Sequence, residues 1–131
     1  MAGFLNDSLG EFVRHLGLDF TEIRGDLVEA EWTVGAHLLQ PYGIVHGGVH
    51  CSVVETLASF GGAAWLGDEG KVVGVNNNTD FLRAVDDGVL FSRGTPVHQG
   101  RSQQIWLVET FADEQRLVAR GQVRLQNLRR D

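Results

Sequence analysis

The sequence has little of several residue types, and each shortage excludes a class of protein. Its single cysteine, Cys51, excludes a disulfide framework and a thiolate metal cluster. No apolar run approaches the roughly 20 residues that a membrane-spanning helix needs. The first residues turn polar too early for a signal peptide. We therefore expect a cytoplasmic protein that does not associate with membranes.

Positive charge is also scarce. The chain has 11 Lys and Arg against 17 Asp and Glu, a net charge of −6. Nucleic-acid binding needs a basic face, so nucleic acid is not an expected partner, whereas a few arginines suffice for one anionic small ligand. A chain of 131 residues fits one domain, 1–131, and leaves little room for a deep ligand cavity. A site at a subunit interface is one way around that limit.

Two kinds of periodicity divide the chain. A short helix is predicted after the capping pair Ser8 and Glu11, with Gly17 as its stop, and alternation predicts a strand at 28–34. A loop over 35–48 precedes a long helix from about Gly48 to Leu66. Strands follow at 71–82, 88–98, 101–111 and 115–128. Consecutive strands on short turns pair antiparallel, which indicates an α+β fold with one helix covering a curled sheet.

The long helix carries two different faces on a helical wheel. An apolar stripe is predicted to face the sheet at Val49, Val53, Leu57, Phe60 and Ala64. Glu55 lies on the opposite side among small residues, namely Gly48, Cys51, Ser52, Ser59 and Gly62. Either a second backbone packs there and Glu55 is an incidental ion-pair partner, or Glu55 is the one charge beside a ligand. A dimer would satisfy both interpretations.

The loop before this helix ends in His46-Gly47-Gly48. Two glycines at a helix start leave backbone N–H groups accessible at its positive end, where a developing oxyanion is stabilised. A simple tight turn is the alternative. His46 and His50 have a spacing that can chelate zinc. However, His46 lies in the glycine turn and His50 points to the apolar side, so we expect no metal.

The motif as a whole resembles the hotdog-fold acyl-CoA thioesterases. Gln40, His46-Gly47-Gly48 and Glu55 have the spacing of that family, and most closely that of the branch with the 4-hydroxybenzoyl-CoA and 1,4-dihydroxy-2-naphthoyl-CoA thioesterases. The resemblance extends from about Leu16 to Leu128. It implies a curled antiparallel sheet wrapped around one long central helix. It also implies a homodimer or dimer of dimers with sites at the subunit interface, and no cofactor beyond the CoA of the substrate.

The resemblance also implies roles for individual residues. It implies a catalytic group of Glu55, Gly47, Gln40 and His46. It implies substrate contacts at Gly48, Ser59, Arg83, Arg101 and Ser102. The Gly47 N–H would polarise the thioester carbonyl, Gln40 would position the thioester or the water, and Glu55 would act as nucleophile or general base. Contacts with CoA phosphates are expected at Arg83, Arg101 and Ser102 from their rough position and not from the motif itself. The alternative is that they are ordinary solvated residues at strand ends.

Two other functions fit the same residues. Some hotdog proteins hydrate or dehydrate acyl thioesters with a His and an acidic residue, and His46 with Glu55 could serve that reaction. A non-catalytic acyl-CoA-binding dimer is the third candidate. The spacing of Gln40, Gly47 and Glu55 favours hydrolysis, either of CoA or of acyl-carrier-protein thioesters.

Overall fold

The computed structural model describes residues 9–113 and 115–131. Two α-helices lie in this part of the chain, α1 (Glu11–Leu16) and α2 (Gly47–Leu66). Short 3-10 turns occupy Ala36–Leu38 and Gly67–Glu69. The strands are β1 (Asp19–Arg24), β2 (Leu27–Thr33), β3 (Gly70–Phe81), β4 (Val89–Gln99), β5 (Gln103–Ala112) and β6 (Arg116–Arg129).

The six strands form one antiparallel sheet in the order β1-β2-β4-β5-β6-β3. Three short connections produce the neighbouring pairs β1–β2, β4–β5 and β5–β6. Strand β3 comes directly after α2 in the chain but lies at the far edge, beside β6. The α+β layout, with one long helix against a curled sheet, is confirmed, and the boundaries of α2 and of β3 to β6 agree with the predicted ones within two residues.

The sheet wraps closely around α2. Val53 and Leu57 of the predicted apolar stripe are fully buried, and Val49 and Phe60 pack against the core. Ala64 is exposed, so its placement on that stripe was wrong.

Gly62 was also misplaced, because it lies on the sheet side of α2. A Cβ there would come 2.3 Å from Cδ1 of Leu125. Gly61 likewise admits the ring of Trp106, which would lie 2.4 Å from an added Cβ. The small residues of α2 thus serve close packing against strands β5 and β6 as well as the Glu55 face.

Strand β1 was not predicted. Its pairing with β2 shifts register between Phe20 and Glu22, and this bulge breaks the alternation that would have marked a strand. The predicted cap Ser8 lies outside the described residues. The α1 helix ends as predicted at Gly17, in the left-handed conformation with φ of 76°.

The edge strand β3 exposes apolar side chains. Val75 is 53% exposed and Phe81 54%, and within the described residues the edge of β3 away from β6 has no strand beside it. A long edge strand with exposed apolar residues is a template for pairing with another chain. None of the described helices is both long and apolar enough to cross a membrane.

Candidate active site

The start of α2 leaves one backbone donor free. His46 is the N-cap residue, and its Nδ1 accepts a 2.8 Å hydrogen bond from the Gly48 N–H. Its carbonyl accepts the Val49 N–H at 2.9 Å. Within residues 9–113 and 115–131, the Gly47 N–H has no acceptor. Because the capping histidine occupies Gly48, the donor that remains for a ligand at this positive helix end is that of Gly47.

Gly47 opens into a cleft of about 290 Å³. The cleft is lined by Gln40, Ile44, Val45, Gly47, His50, Phe81, Leu82, Arg83 and Ala84. The ring of Phe81 covers Gly47, since an added Cβ would lie 2.6 Å from Phe81 Cε2. Glycine is therefore required here for the close approach of the ring.

The Gln40 side chain is held by the loop that it precedes. Its Oε1 accepts the Tyr42 N–H, and its backbone N–H donates to the Ile44 carbonyl at 2.8 Å. No acceptor in the described part of the chain binds its Nε2, so the amide N–H groups are available to a molecule in the cleft. The structure therefore brings Gln40 and Gly47 to one cleft, as the motif predicts.

His50 forms part of the wall of the same cleft. It is 3% exposed, and burial lowers its pKa from 6.5 to about 4. Its ring lies 5.9 Å from that of Trp32 and stacks on Phe81 at 6.0 Å. The imidazole is consequently neutral near pH 7 and faces apolar neighbours, which agrees with its predicted position on the apolar side.

Glu55 lies in a recess formed by β3. Asn77 Nδ2 donates to Glu55 Oε1 at 3.1 Å, and Thr79 Oγ1 donates to Asn77 Oδ1 at 2.7 Å. Gly74 makes room for the other oxygen, because an added Cβ would lie 1.9 Å from Oε2. Within the described residues no cation lies within ion-pair distance of Glu55, so the interpretation of Glu55 as an incidental ion-pair partner finds no support within the chain.

Glu55 and Gly47 of one chain lie apart. They are eight residues apart on α2, which corresponds to about 12 Å along the axis at 1.5 Å per residue. Glu55 does not line the cleft that contains Gly47. One thioester carbonyl therefore does not contact both groups of the same chain.

The other predicted contacts fall into two places. Arg83 follows β3 and lines the cleft of Gly47. Arg101 and Ser102 form the exposed β4–β5 turn, where the Arg101 carbonyl accepts from Arg129 Nε at 2.8 Å. Arg129 pairs with Gly70 at the start of β3, so Arg83 and this turn lie at opposite ends of a 12-residue strand. Ser59 is half-buried, one turn after Glu55.

Three residues were not predicted to take part in the site: Asn77, Gly74 and His50. The run Asn76-Asn77-Asn78 was an available signal, because asparagine is disfavoured in strands and consecutive copies need a reason. Among the described residues, no group of three or more His, Cys, Asp or Glu side chains is arranged to hold a metal ion.

Comparison with known proteins identifies the family. The model of the thioesterase superfamily matches residues 42–119, a range that includes the glycine turn, Glu55 and the β3 recess. The chain belongs to the thioesterase superfamily. The predicted resemblance is thereby confirmed.

Several known proteins are similar over most of the chain. The proofreading thioesterase EntH of Cronobacter turicensis is 37% identical over 108 residues, which is 82% of this chain and 78% of that protein. The crystal structure of AziG from S. sahachiroi is 57% identical, covers 93% of this chain and 99% of its own, and superposes with a TM-score of 0.91. The thioesterase HI1161 of Haemophilus influenzae is 31% identical over 98% of this chain and 91% of its own, with a TM-score of 0.91.

These similarities establish the class of reaction. The fold is the hotdog fold of the thioesterase superfamily, and the protein is a thioester hydrolase acting on an acyl thioester.

Proposed function

We propose that the protein hydrolyses an aryl- or acyl-CoA thioester to the free acid and CoA. The Gly47 N–H polarises the thioester carbonyl, Gln40 positions the thioester or the water, and Glu55 is the catalytic carboxylate. The observation that carries this proposal is the division of donors at the start of α2. His46 takes the Gly48 N–H, and the Gly47 N–H in the cleft that contains Gln40 has no acceptor among the described residues.

The second half of each site comes from a second copy of the chain. Gly47 lies beneath Phe81 at the end of β3, whereas Glu55 lies beside Gly74 and Asn77. If two β3 edges pair antiparallel about a two-fold axis near Asn78, Phe81 of the partner subunit comes alongside the Glu55 recess. Each carboxylate then faces the glycine turn of the other subunit, which removes the separation of about 12 Å found within one chain.

The same pairing would bring together the predicted CoA-phosphate contacts, which lie at opposite ends of β3 within one chain. An antiparallel arrangement places the start of one β3 beside the end of the other. Arg101 and Ser102 of the partner subunit then approach the end of the assembly that holds Arg83. In this arrangement the three residues contact CoA phosphates from two chains.

The chemistry needs a polarised carbonyl and an activated attacker. As a general base, Glu55 takes a proton from water while the water oxygen bonds to the carbonyl carbon. The tetrahedral oxyanion is held by the Gly47 N–H, and the C–S bond then breaks to release CoA thiolate, which takes up a proton. As a nucleophile, Glu55 instead bonds to the carbonyl carbon and expels the thiolate, and water hydrolyses the resulting anhydride.

Thiol release from a panel of acyl-CoAs tests the proposal. We expect the wild-type protein to release thiol from at least one acyl-CoA. Glu55→Gln keeps the shape of the side chain and removes the base, so its kcat should be about 10²- to 10⁴-fold lower. Glu31→Gln on β2 is the matched control and should retain turnover. A hydratase would change the acyl chain without releasing thiol, and a binding protein would do neither. Either result, or near wild-type turnover of Glu55→Gln, contradicts the proposal.

Oxygen labelling in a single turnover can identify the nucleophilic role of Glu55. In ¹⁸O water, a general base places ¹⁸O in the product acid and none in the enzyme. A nucleophilic carboxylate whose anhydride is hydrolysed at Cδ of Glu55 passes its own unlabelled oxygen to the acid, so the label appears in the enzyme. Label in Glu55 therefore demonstrates the nucleophilic route, whereas labelled acid alone is also expected when water attacks the acyl carbon of the anhydride.

A further inference from the structure

His50 carries a buried nitrogen that has no hydrogen-bond partner in the part of the chain that the structure describes. Among the described residues, its Nδ1 is the one buried side-chain nitrogen or oxygen atom that has no hydrogen-bond partner. Buried polar atoms in proteins are paired with few exceptions, so an unpaired one requires an explanation. The ring of His50 forms part of the cleft wall next to Gly47, which places the unexplained group beside the proposed substrate position.

The two ring nitrogens have different surroundings. Nδ1 is inaccessible to solvent. Nε2 is not fully buried and has no hydrogen bond to another described residue, so Nε2 is the nitrogen that a molecule in the cleft can reach. A proton on Nδ1 would be a buried donor without an acceptor, which folded proteins avoid more strictly than an unpaired acceptor. The neutral ring therefore carries its proton on Nε2 and presents an N–H donor to the cleft.

The position of His50 relative to Gly47 defines what this donor contacts. The two residues are three apart on α2, and side chains at this spacing are neighbours on one helix face, about 5–6 Å apart. Trp32 and Phe81 flank the ring, and Phe81 also lines the cleft as an apolar wall. A group bound here lies a few bonds beyond a carbonyl held at Gly47.

We propose that His50 is a specificity-determining residue whose Nε2–H donates to an uncharged oxygen of the acyl group, such as a hydroxyl, keto or ether oxygen. This inference rests on the proposed function, because it takes the thioester carbonyl to lie at the Gly47 N–H. Acyl groups that end in a carboxylate are disfavoured, since a neutral imidazole among aromatic rings offers no charge to pair with them.

Matched substrate pairs test this proposal. The pairs are butanoyl-CoA with 3-hydroxybutanoyl-CoA, and benzoyl-CoA with its three hydroxybenzoyl isomers. The readout is the ratio of kcat/KM within each pair, because a general loss of activity cancels from it. Wild type should prefer the oxygenated member in at least one pair, and His50→Phe should lower that preference by about tenfold, as expected for one hydrogen bond.

Two further variants separate the hydrogen bond from packing. In His50→Gln the amide nitrogen reaches approximately the position of Nε2, so the preference should be kept. In His50→Asn it reaches only that of Nδ1, so the preference should be lost. Circular dichroism shows whether His50→Phe is folded. If it is not, the comparison of His50→Gln with His50→Asn decides whether the hydrogen bond determines the preference.

The outcomes distinguish this inference from the proposed function. If wild type releases thiol from no acyl-CoA, the proposed function fails. If wild type is active but shows no preference in any pair, or if Phe, Gln and Asn variants all keep the wild-type ratio, the role of His50 is overturned and thioester hydrolysis stands. Equal loss in the Gln and Asn variants also overturns it, because packing alone then explains the effect.

Discussion

Asn77 Nδ2 donates to Oε1 of Glu55 at 3.1 Å and to the backbone carbonyl of Cys51 at 3.0 Å. One amide nitrogen thus binds both the carboxylate and the helix backbone one turn before it. Thr79 fixes the amide in turn by donating to its oxygen at 2.7 Å. The conformation of Glu55 is therefore determined by β3 as much as by its own helix.

Replacing Asn77 with alanine should lower kcat and leave KM nearly unchanged. The carboxylate would lose a charge-assisted hydrogen bond, and the expected loss is about tenfold to a hundredfold. Steady-state thiol release measures both constants. Asn76→Ala is the matched control, because Asn76 lines a separate polar cleft with Arg120 and Arg124. Equal losses in the two variants would argue against a positioning role for Asn77.

Gly74→Ala should displace the carboxylate directly. Its Cβ would lie 1.9 Å from Glu55 Oε2, so the side chain has to move out of the recess. We expect kcat to fall by about 10²-fold, a typical loss when a catalytic base is misplaced. Gly94→Ala is the control, since its Cβ would make only ordinary contacts, the nearest at 3.4 Å to Val108. Full activity of Gly74→Ala would indicate that the productive carboxylate lies elsewhere.

Asn78→Cys should form a disulfide between two subunits. The proposed two-fold axis lies near residue 78, and directly opposed residues of antiparallel strands have Cβ atoms about 4.5–5.5 Å apart. The native Cys51 is first changed to serine, and oxidation is followed by non-reducing electrophoresis. Arg93→Cys, on an exposed position of β4, should form no disulfide and migrate as a single chain in the same assay. Cross-linking of both variants, or of neither, contradicts the proposed β3 pairing.

Acid should destabilise the fold through His50. Its pKa is about 4 in the folded protein because of burial, against 6.5 when unfolded, so the unfolded chain binds the extra proton. Stability from this group is complete above pH 6.5 and is lost as the pH falls towards 4. Urea unfolding at pH 7 and 4.5 should show a loss of roughly 2–3 kcal/mol that His50→Gln removes. His98→Gln, at an exposed position, should keep the wild-type loss.

Much of the fold follows from local patterns in the sequence. The apolar stripe of α2 and the alternation in β4 to β6 are periodic, so their bounds were predicted closely. Strand β1 was not predicted, because its bulge near Phe20 and Glu22 interrupts the alternation of apolar and polar residues. Gly62 was misplaced because a glycine carries no hydrophobicity by which a wheel could assign it to the sheet.

The residues of the candidate site likewise fall into those that a local pattern predicts and those that depend on tertiary packing. Gln40, Gly47 and Glu55 lie within one short stretch, where fixed spacing made them recognisable. The contacts of Glu55 with Asn77 and Gly74 depend on how β3 lies against α2, some 20 residues later, and no local pattern encodes that alignment. The free nitrogen of His50 depends on the packing of Trp32 and Phe81, which come from two different strands.

Strand β3 contacts Glu55 on its inner face, and its outer edge is the one that we propose pairs with a second chain. In the proposed dimer, assembly and chemistry are therefore thermodynamically linked. Dilution that separates the subunits would stop turnover without unfolding either subunit. Bound acyl-CoA would favour the dimer by mass action. The concentration of the protein would then set not only how many sites exist but what fraction of them is complete.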